Sequence, residues 1–422
     1  MSPAFETAHA VRPPLLVALP SPRRPGRQDR DGPTAVLGAV LRDGPVARTA
    51  LAHATGLSPA AVSRHTAELI GLGLLRELAP PAGPPRAGRP QIPVAVDPGH
   101  HAACGVHIAL THTTFAVVDL LGRVVAQQRL PHGGGVREVL GQVLRHLPAF
   151  LAAEAAGRSV LGIGVVTGGW VDSDQGVVVE HTPLGWHDVR VRDTLAAGTR
   201  LPVHVEGHAR ALAQAELLFG AGAGRSELVQ LFVGNVVDAA ITTAGTVLRG
   251  RRSGAGDVAH LPLGDAGLRC GCGRYGCLQA SVSELAVAGR AHEAGVIPAP
   301  DFALLLARAA DGHPGAVRIL RERLRATGRA AALLLDVINP EVLVVADSTA
   351  VFLPHLLPEL YEEVAAHSHL CTDPERAVVP TSFGRQVLAV AAGAAVLDAV
   401  YRRPMELRTA RRPRAGVSST AS

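Results

Sequence analysis

The most specific chemical signal in the sequence is a histidine followed by three cysteines within eight residues. The four residues are His260, Cys270, Cys272 and Cys277. Zn²⁺ prefers thiolate and imidazole ligands, and the glycines between the cysteines let the chain turn tightly enough for three sulfurs to converge on one ion. Because protein then fills all four positions of a tetrahedral ion, the pattern predicts structural Zn²⁺ rather than a catalytic metal, which keeps a position for water. A redox or metal sensor acting through the same cysteines is an alternative.

Three short helical segments occupy the N-terminal hundred residues. Apolar spacing predicts helices at 35–42, at 48–55 and from Ser58 onward, with a tight turn at Gly56-Leu57 before the third helix. Ser58 can accept the free N–H groups of the third helix, and Pro59 fits its first turn. This arrangement is typical of a helix-turn-helix, which places a recognition helix in the major groove of DNA.

A strand-loop-strand pattern follows the third helix. The predicted strands, 74–78 and 91–96, enclose a loop at 79–90 whose arginines can reach phosphates or a narrow minor groove, as a wing does. We expect Val62, Thr66 and Leu69 to face inward, which leaves small and basic side chains of the third helix outside. A helical hairpin that binds protein is the alternative. The residues expected to contact DNA are Arg48, Ser58, Ala60, Ala61, Ser63, Arg64, Arg86 and Arg89.

Length and charge agree with a DNA-binding module attached to a larger domain. The chain has 422 residues, enough for two to three domains, and a formal net charge of +5. Residues 1–100 hold 11 arginines against 7 acidic residues and residues 401–422 hold 6 against 1, whereas the centre is slightly acidic. Basic ends suggest double-stranded DNA as a partner. No run of 18 apolar residues and no signal-peptide core is found, so we expect no membrane segment and a cytoplasmic protein.

From about residue 100 the pattern changes to strands that alternate with turns and helices, which predicts an α/β fold. The predicted strands are 104–110, 114–118, 160–166, 203–205, 228–233, 239–243 and 342–345. The predicted helices are 136–153, 209–219, 302–310, 317–336 and 387–401.

Several segments together resemble the ROK family (repressor, open reading frame, kinase) over about residues 32–402. They are the winged helix, Gly162–Asp172, Leu184-Gly185-Trp186, Gly256-Asp257-Val258-Ala259-His260, Cys270–Gln279 and Ile338-Asn339-Pro340-Glu341. The resemblance implies a two-lobed actin-like (RNase H-like) domain, with a sugar and ATP in the cleft of kinase members and an effector sugar in many repressors. The predicted domains are a disordered basic tail at 1–31, a winged helix-turn-helix at 32–98, a ROK domain at 99–402 with lobes at about 99–222 and 223–402, and a second such tail at 403–422.

This chain departs from the kinase members of that family wherever they would hold ATP. The implied glycine-rich phosphate loops are replaced by 107–111 and 234–238, and we expect Asp238 to face and repel the phosphates. Ala346-Asp347 replaces an adenosine-side Gly-Gly, and His208 stands where the resemblance implies a catalytic aspartate. We therefore expect no enzyme activity. A bifunctional sugar kinase with a DNA-binding head is the alternative.

The sugar-side positions implied by the resemblance are partly retained, so a sugar or sugar-phosphate effector is expected. His208 could hold a ligand hydroxyl or merely fill the cleft. The predicted function is a DNA-binding transcriptional repressor, a homodimer or homotetramer, whose ROK domain senses the effector and oligomerises. The positions implied to bind the effector are Gly169, Glu206, His208, Asp257, His260 and Gln279.

Overall fold

The N-terminal part of the molecule is a three-helix bundle with a small antiparallel sheet. The computed structural model describes residues 32–79, 92–221 and 225–407. All three predicted helices and both predicted strands are confirmed. Arg86, Arg89 and both predicted tails, apart from residues 403–407, lie outside the described residues. The elements are α1 (Gly32–Asp43), β1 (Val46–Ala47), α2 (Arg48–Thr55), α3 (Pro59–Gly71), β2 (Leu75–Glu77) and β3 (Pro93–Val96), with sheet order β1-β3-β2. We call them the N-terminal module.

Helix α3 begins where its sequence predicts. The Ser58 hydroxyl accepts a hydrogen bond from the Ala61 N–H at 3.2 Å and so caps the helix. Val62, Thr66 and Leu69 are buried, as expected from their spacing. The opposite side of α3 is therefore left to solvent.

A five-stranded sheet forms the centre of the first half of the α/β region. Its order is β11-β7-β4-β5-β6, in which β4, β5 and β6 are antiparallel neighbours and β7 and β11 run parallel to β4. A separate small sheet, β10-β9-β8, extends from it. The strands are β4 (His101–Ile108), β5 (His112–Asp119), β6 (Val124–Pro131), β7 (Ser159–Thr167), β8 (Trp170–Asp172), β9 (Val177–His181), β10 (Trp186–Arg190) and β11 (Val203–Gly207), with helices α4 (Val136–Glu154), α5 (Val191–Thr199) and α6 (His208–Phe219).

The second five-stranded sheet repeats that topology. Its order is β14-β13-β12-β15-β16, with an antiparallel meander followed by two strands parallel to the first. Two sheets of one topology agree with the two-lobed α/β fold implied by the resemblance. The strands are β12 (Leu228–Val233), β13 (Val237–Thr243), β14 (Thr246–Val247), β15 (Val342–Asp347) and β16 (Val378–Pro380), and the helices are α7 (Leu278–Val282), α8 (Glu284–Glu293), α9 (Phe302–Ala310), α10 (Pro314–Ile338), α11 (Ser348–Phe352), α12 (Pro358–His367), α13 (Pro374–Ala377) and α14 (Val387–Arg402).

Helix α14 packs against the strands of the first sheet and against α6, and its C-terminal part contacts the N-terminal module. A Cβ on Gly164 of β7 would lie 1.9 Å from the carbonyl oxygen of Ala392, so only glycine allows this approach. The segment Gly384–Arg402 is long and apolar enough to cross a membrane, but 56% of it is buried inside the protein. Its composition is thus explained by its place in the core.

The N-terminal module shares a hydrophobic core with the first sheet and with α14. Leu37 and Val62 belong to the same cluster as Val118 of β5 and Tyr401 of α14. The Thr34 hydroxyl also donates a hydrogen bond to the Arg402 carbonyl at 3.2 Å. The module is therefore packed onto the α/β region.

Candidate functional site

The predicted zinc ligands converge in the structure. Nδ1 of His260 lies 3.6 Å from Sγ of Cys270, and Sγ of Cys272 lies 3.7 Å from Sγ of Cys277. All four donor atoms lie within 4.8 Å of one another. Around a tetrahedral Zn²⁺ with ordinary bond lengths, two sulfurs would be about 3.8 Å apart and a sulfur and a nitrogen about 3.6 Å apart. The donor set and its spacing therefore fit a tetrahedral metal ion.

A tight loop holds the three cysteines. The Cys270 N–H donates to the Arg274 carbonyl at 2.8 Å, and Gly273 turns the chain at a φ of 87°, in the left-handed region. Hydrogen bonds from Arg274 lower the pKa of the Cys272 thiol to about 6, whereas desolvation raises the pKa of the neighbouring Cys277 thiol to about 11.

Gln279, one of the residues predicted to bind an effector, ties the metal loop to the second sheet. Its side-chain oxygen accepts from the Val237 N–H and its amide donates to the Asn235 carbonyl, both at 2.8 Å. The side chain thus fixes the turn between β12 and β13. Of the other implied effector residues, Asp257 is exposed, and its carboxylate accepts from the Ala259 N–H at 3.3 Å.

The three segments that replace the ATP-binding motifs line one cleft of about 530 Å³. Residues at the ends of β4, β12 and β15 and in the first turn of α14 line this cleft. Of the six implied effector residues, His208 lines the cleft and the other five do not. The lining residues from the three segments are His107, Ile108, Ala109, Leu110, Gly234, Asn235, Val236, Ala346 and Asp347.

Two buried histidines meet inside the cleft. The rings of His107 and His208 have centroids 5.2 Å apart, and each residue is 7% exposed. Nε2 of His107 and both ring nitrogens of His208 have no hydrogen-bond partner among the described residues. Burial lowers the pKa of His208 to about 3 and, with the nearby charges of His208, His112 and Arg129, holds the pKa of His107 well below its usual range. Both imidazoles are therefore neutral near pH 7.

Glu206 is engaged in a buried network. Its carboxylate accepts from Nε of Arg210 at 2.6 Å, from Nη1 of Arg249 at 3.1 Å and from the Ser173 hydroxyl. Its own neighbour Gly207 donates a fourth bond through the backbone N–H. The side chain of Glu206 is 4% exposed, so these protein groups satisfy its charge.

The expectation that Asp238 faces the would-be phosphates is wrong. Asp238 does not line the cleft, and its carboxylate lies 3.6 Å from the place that a Cβ on Gly207 would occupy. Alternation along β13 turns this side chain away from the cleft and towards Arg210. Desolvation raises the pKa of Asp238 to about 7, although the charge of Arg210 opposes this shift.

The backbone conformation at position 169 requires glycine. Its φ is 76°, and a Cβ at this position would lie 2.2 Å from the Glu180 carbonyl oxygen. Only glycine fits the turn between β7 and β8, which sets the small sheet against the first one.

The exposed side of α3 presents small residues and one arginine. Ala60, Ser63 and Arg64 are exposed, and Ala61 is half-buried. Arg48, also predicted to contact DNA, donates to the Glu77 carboxylate at 2.6 Å across the module. Arg64 is thus the arginine that α3 itself offers to a partner.

Comparison with known proteins assigns the chain to a family. The profile described as the ROK family matches residues 103–398. The chain belongs to the ROK family. Among its relatives, a transcriptional regulator of Mycobacterium tuberculosis (strain ATCC 25618 / H37Rv) is 32% identical over 390 residues, which cover 88% of this chain and 86% of that protein. The DNA-binding transcriptional dual regulator NagC of Escherichia coli (strain K12) is 26% identical over 322 residues, 74% of this chain and 79% of that one.

Solved structures show the same fold for this ROK protein. A ROK family transcriptional regulator, described as a homolog of the E. coli MLC protein, superposes with a TM-score of 0.71 and 24% identity and covers 88% of this chain and 98% of its own. This likeness extends the shared fold beyond the matched profile to most of the described chain.

The ROK chain also carries polar residues that its sequence did not identify as important. Arg323 is fully buried, pairs with the Asp347 carboxylate, and donates to the Val282 carbonyl at 2.7 Å. Nothing in the sequence marks this pair, because its members lie 24 positions apart. Arg210 follows Glu206 by four residues, but Glu206 lies near the end of strand β11 and Arg210 in the first turn of α6, so helical spacing did not indicate their ion pair.

Proposed function

We propose that this ROK protein is a transcriptional repressor whose N-terminal module is a winged helix-turn-helix that binds operator DNA. The observation that carries the proposal is the exposed side of α3, on which small side chains surround Arg64. Small residues let a helix approach base edges closely, and an arginine can pair bidentately with guanine. Relatives over most of the chain are named as transcriptional regulators.

Contacts to DNA would come from two parts of the module. Ser58, Ala60, Ala61, Ser63 and Arg64 would face the major groove, and Arg86 and Arg89 of the wing would reach the backbone or minor groove. Arg48 would contact a DNA phosphate in place of the Glu77 carboxylate with which it pairs in the free protein. Electrostatic contacts of this kind make affinity fall steeply with salt.

In this proposal the ROK domain senses an effector and joins copies of the chain. The glycine-rich phosphate loops are absent from the sequence, and the cleft they would line is kept, which favours binding over phosphoryl transfer. The positions proposed to form the effector site are Gly169, Glu206, His208, Asp257, His260 and Gln279, of which His208 lines the cleft. A homodimer or homotetramer would read two half-sites, and the effector would change their spacing through different affinities for two conformations.

The metal in this proposal is Zn²⁺ with a structural role. All four ligands would come from protein side chains, which are His260, Cys270, Cys272 and Cys277. The ion would therefore hold the cysteine loop in place, and Gln279 connects that loop to the turn between β12 and β13. Removal of the metal by mild chelation should lower the thermal unfolding temperature, because the loop loses its cross-link. Unchanged stability together with lost DNA affinity would instead favour the sensor alternative.

The DNA-binding half is tested by gel shift with the full zinc-loaded chain. The probe is a palindrome from the promoter region of its own gene, and random DNA of equal length and base composition is the control. We expect preferential binding to the palindrome that persists as salt is raised. Equal affinity for both duplexes would refute the proposal. A coupled ADP-release assay over a hexose panel should show no turnover.

A further inference from the structure

The cleft holds polar groups that the fold itself does not satisfy. The unpartnered nitrogens of His107 and His208 are buried beside a cavity of about 530 Å³, a volume within the range of small-molecule sites. A buried polar group without a partner destabilises the folded state, so native proteins rarely keep several in one place without a role for them. A neutral imidazole offers one N–H donor and one acceptor, and His208 has both unused. A ligand with hydroxyl groups can satisfy both.

The uncompensated charge of the cleft is positive. Arg129 of β6 and Arg385, just before α14, both line it, and neither takes part in an ion pair among the residues that the structure describes. Arg385 lies over the ring of Phe352 at 4.7 Å, which holds its guanidinium at the cleft wall.

The acidic residues in the cleft wall are already engaged. Asp347 forms its buried ion pair with Arg323, and Glu284 accepts a hydrogen bond from the Ser348 hydroxyl at 2.5 Å. Burial also raises the pKa of Glu284, which favours its neutral form. The two arginines are therefore left to attract an anion.

The apolar side chains of the first replaced loop argue against a nucleotide. Ala109 and Leu110 occupy the positions at which the resemblance implies glycine amides close to phosphates, and Ile108 beside them also lines the cleft. A smaller anion that needs no backbone cradle suits these walls.

We propose that this cleft binds a hydroxylated organic anion, whose carboxylate or phosphate meets Arg129 and Arg385 and whose hydroxyl groups meet His107 and His208. The site would be distinct from the zinc loop and from the Glu206 network. It deepens the effector part of the proposed function, with which it shares His208, by naming the chemical class of the ligand and the two arginines that select it. It does not depend on DNA binding, because ligand binding is measured directly on the protein without DNA.

Isothermal titration calorimetry of the full zinc-loaded chain tests the proposal with two probes. Gluconate carries the carboxylate and glucose 6-phosphate carries the phosphate on a similar polyol, so the tighter binder identifies the acid group. Glucose is the neutral control. We expect at least one anion to bind, with a dissociation constant in the micromolar range. No heat of binding from either anion at millimolar concentration would overturn the proposal.

Substitution of the two cleft arginines tests whether the anion binds in the cleft. Arg129→Gln and Arg385→Gln should each weaken anion binding by about tenfold or more, which corresponds to about 1.4 kcal/mol. Arg123→Gln is the matched control, because Arg123 is an exposed arginine beside the same hairpin but does not line the cleft. Any binding of neutral glucose should not respond to these changes. Equal effects of Arg129→Gln and Arg123→Gln would show general charge attraction and overturn the assignment.

A histidine variant tests the inner end of the site. His107→Phe removes the unpartnered nitrogen and keeps an aromatic ring, so the unfolding temperature should stay the same or rise while anion binding is lost. Anion binding that survives in a folded His107→Phe protein would exclude the imidazole from the site. If the His107→Phe variant does not fold, the Arg129→Gln and Arg385→Gln variants still test the proposal, because both arginines are exposed.

Discussion

At the scale of single residues, Arg64 decides whether α3 reads DNA. It is the arginine on the exposed side of that helix, and its guanidinium lies 3.3 Å from Nε2 of the neighbouring His65. Arg64→Ala should weaken specific operator binding by about 1–3 kcal/mol if the guanidinium pairs with guanine, with little change in non-specific binding. Competition gel shifts measure both. Arg42→Ala, at an exposed arginine near the end of α1, serves as the control, and an equal loss in that variant would contradict the assignment.

The buried pair of Arg323 and Asp347 should be a strong point of stability. Both side chains are 0% exposed, and Asp347→Ala would leave a buried guanidinium without its counter-charge. We expect a loss of about 3–5 kcal/mol in the free energy of unfolding. Urea denaturation checks this value.

The matched control for that pair is a surface ion pair on the same helix. Arg318 and Glu322 lie 2.9 Å apart with side chains 65% and 56% exposed. Glu322→Ala should lower the free energy of unfolding by about 0–1 kcal/mol, because water screens the interaction between the two charges. Similar losses in Asp347→Ala and Glu322→Ala would show that the buried pair contributes no special stability.

At the scale of elements, the N-cap of α3 should control the order of the proposed recognition helix. Ser58→Ala removes the hydroxyl that accepts from the Ala61 N–H, and should destabilise the N-terminal module by about 0.5–2 kcal/mol. Hydrogen exchange of the α3 amides measures the effect locally. Ser63→Ala, at an exposed position inside the helix, should leave exchange unchanged or slower, since alanine favours helix. Faster exchange in both variants alike would contradict a capping role.

Elements marked by a clear hydrophobic run or by a helix-ending glycine could be predicted from the sequence. Elements that mix polar and apolar residues without such a pattern could not. Helix α2 and strand β12 have the predicted bounds because Gly56 ends the helix and a run of apolar residues fills the strand. Strand β6 was missed because it is mostly exposed and contains Gln127, Gln128 and Arg129. Its place at the sheet edge depends on pairing with β5, which is tertiary information.

The candidate sites divide in the same way. The metal cluster could be predicted, because four residues with specific chemistry lie close together in sequence. The orientation of Asp238 could not, because the sequence gives no register for β13 against the cleft. The positive charge of the cleft depends on Arg129 and Arg385, which are 256 residues apart in the chain and line one cleft only because of the fold.

At the scale of the whole molecule, α14 connects the parts that the proposed function requires to communicate. Its first residues, Val387–Ala389, line the cleft, and its last turn packs on the N-terminal module. Between these ends it shares a core cluster with β15 through Ala391 and Ala392. A ligand that favours one position of α14 would therefore bias how the module is held, which is the kind of two-state element that coupling between sites needs.

Because the module and the ROK domain share this core, we expect them to unfold together. We expect Tyr401 to stabilise the interface that couples their unfolding. Tyr401 is 7% exposed and belongs to the hydrophobic cluster that contains Leu37 and Val62 of the module. Its hydroxyl donates a hydrogen bond to the Leu120 carbonyl of the ROK domain. Tyr401→Ala should cost about 3 kcal/mol or more at this junction. Differential scanning calorimetry should then change from one transition to two, with the module unfolding first. Tyr361→Ala, on α12 and away from the junction, should lower the single transition without splitting it. Two transitions already present in the wild-type protein would mean that the interface does not couple the parts, and α14 could not relay a ligand signal to DNA.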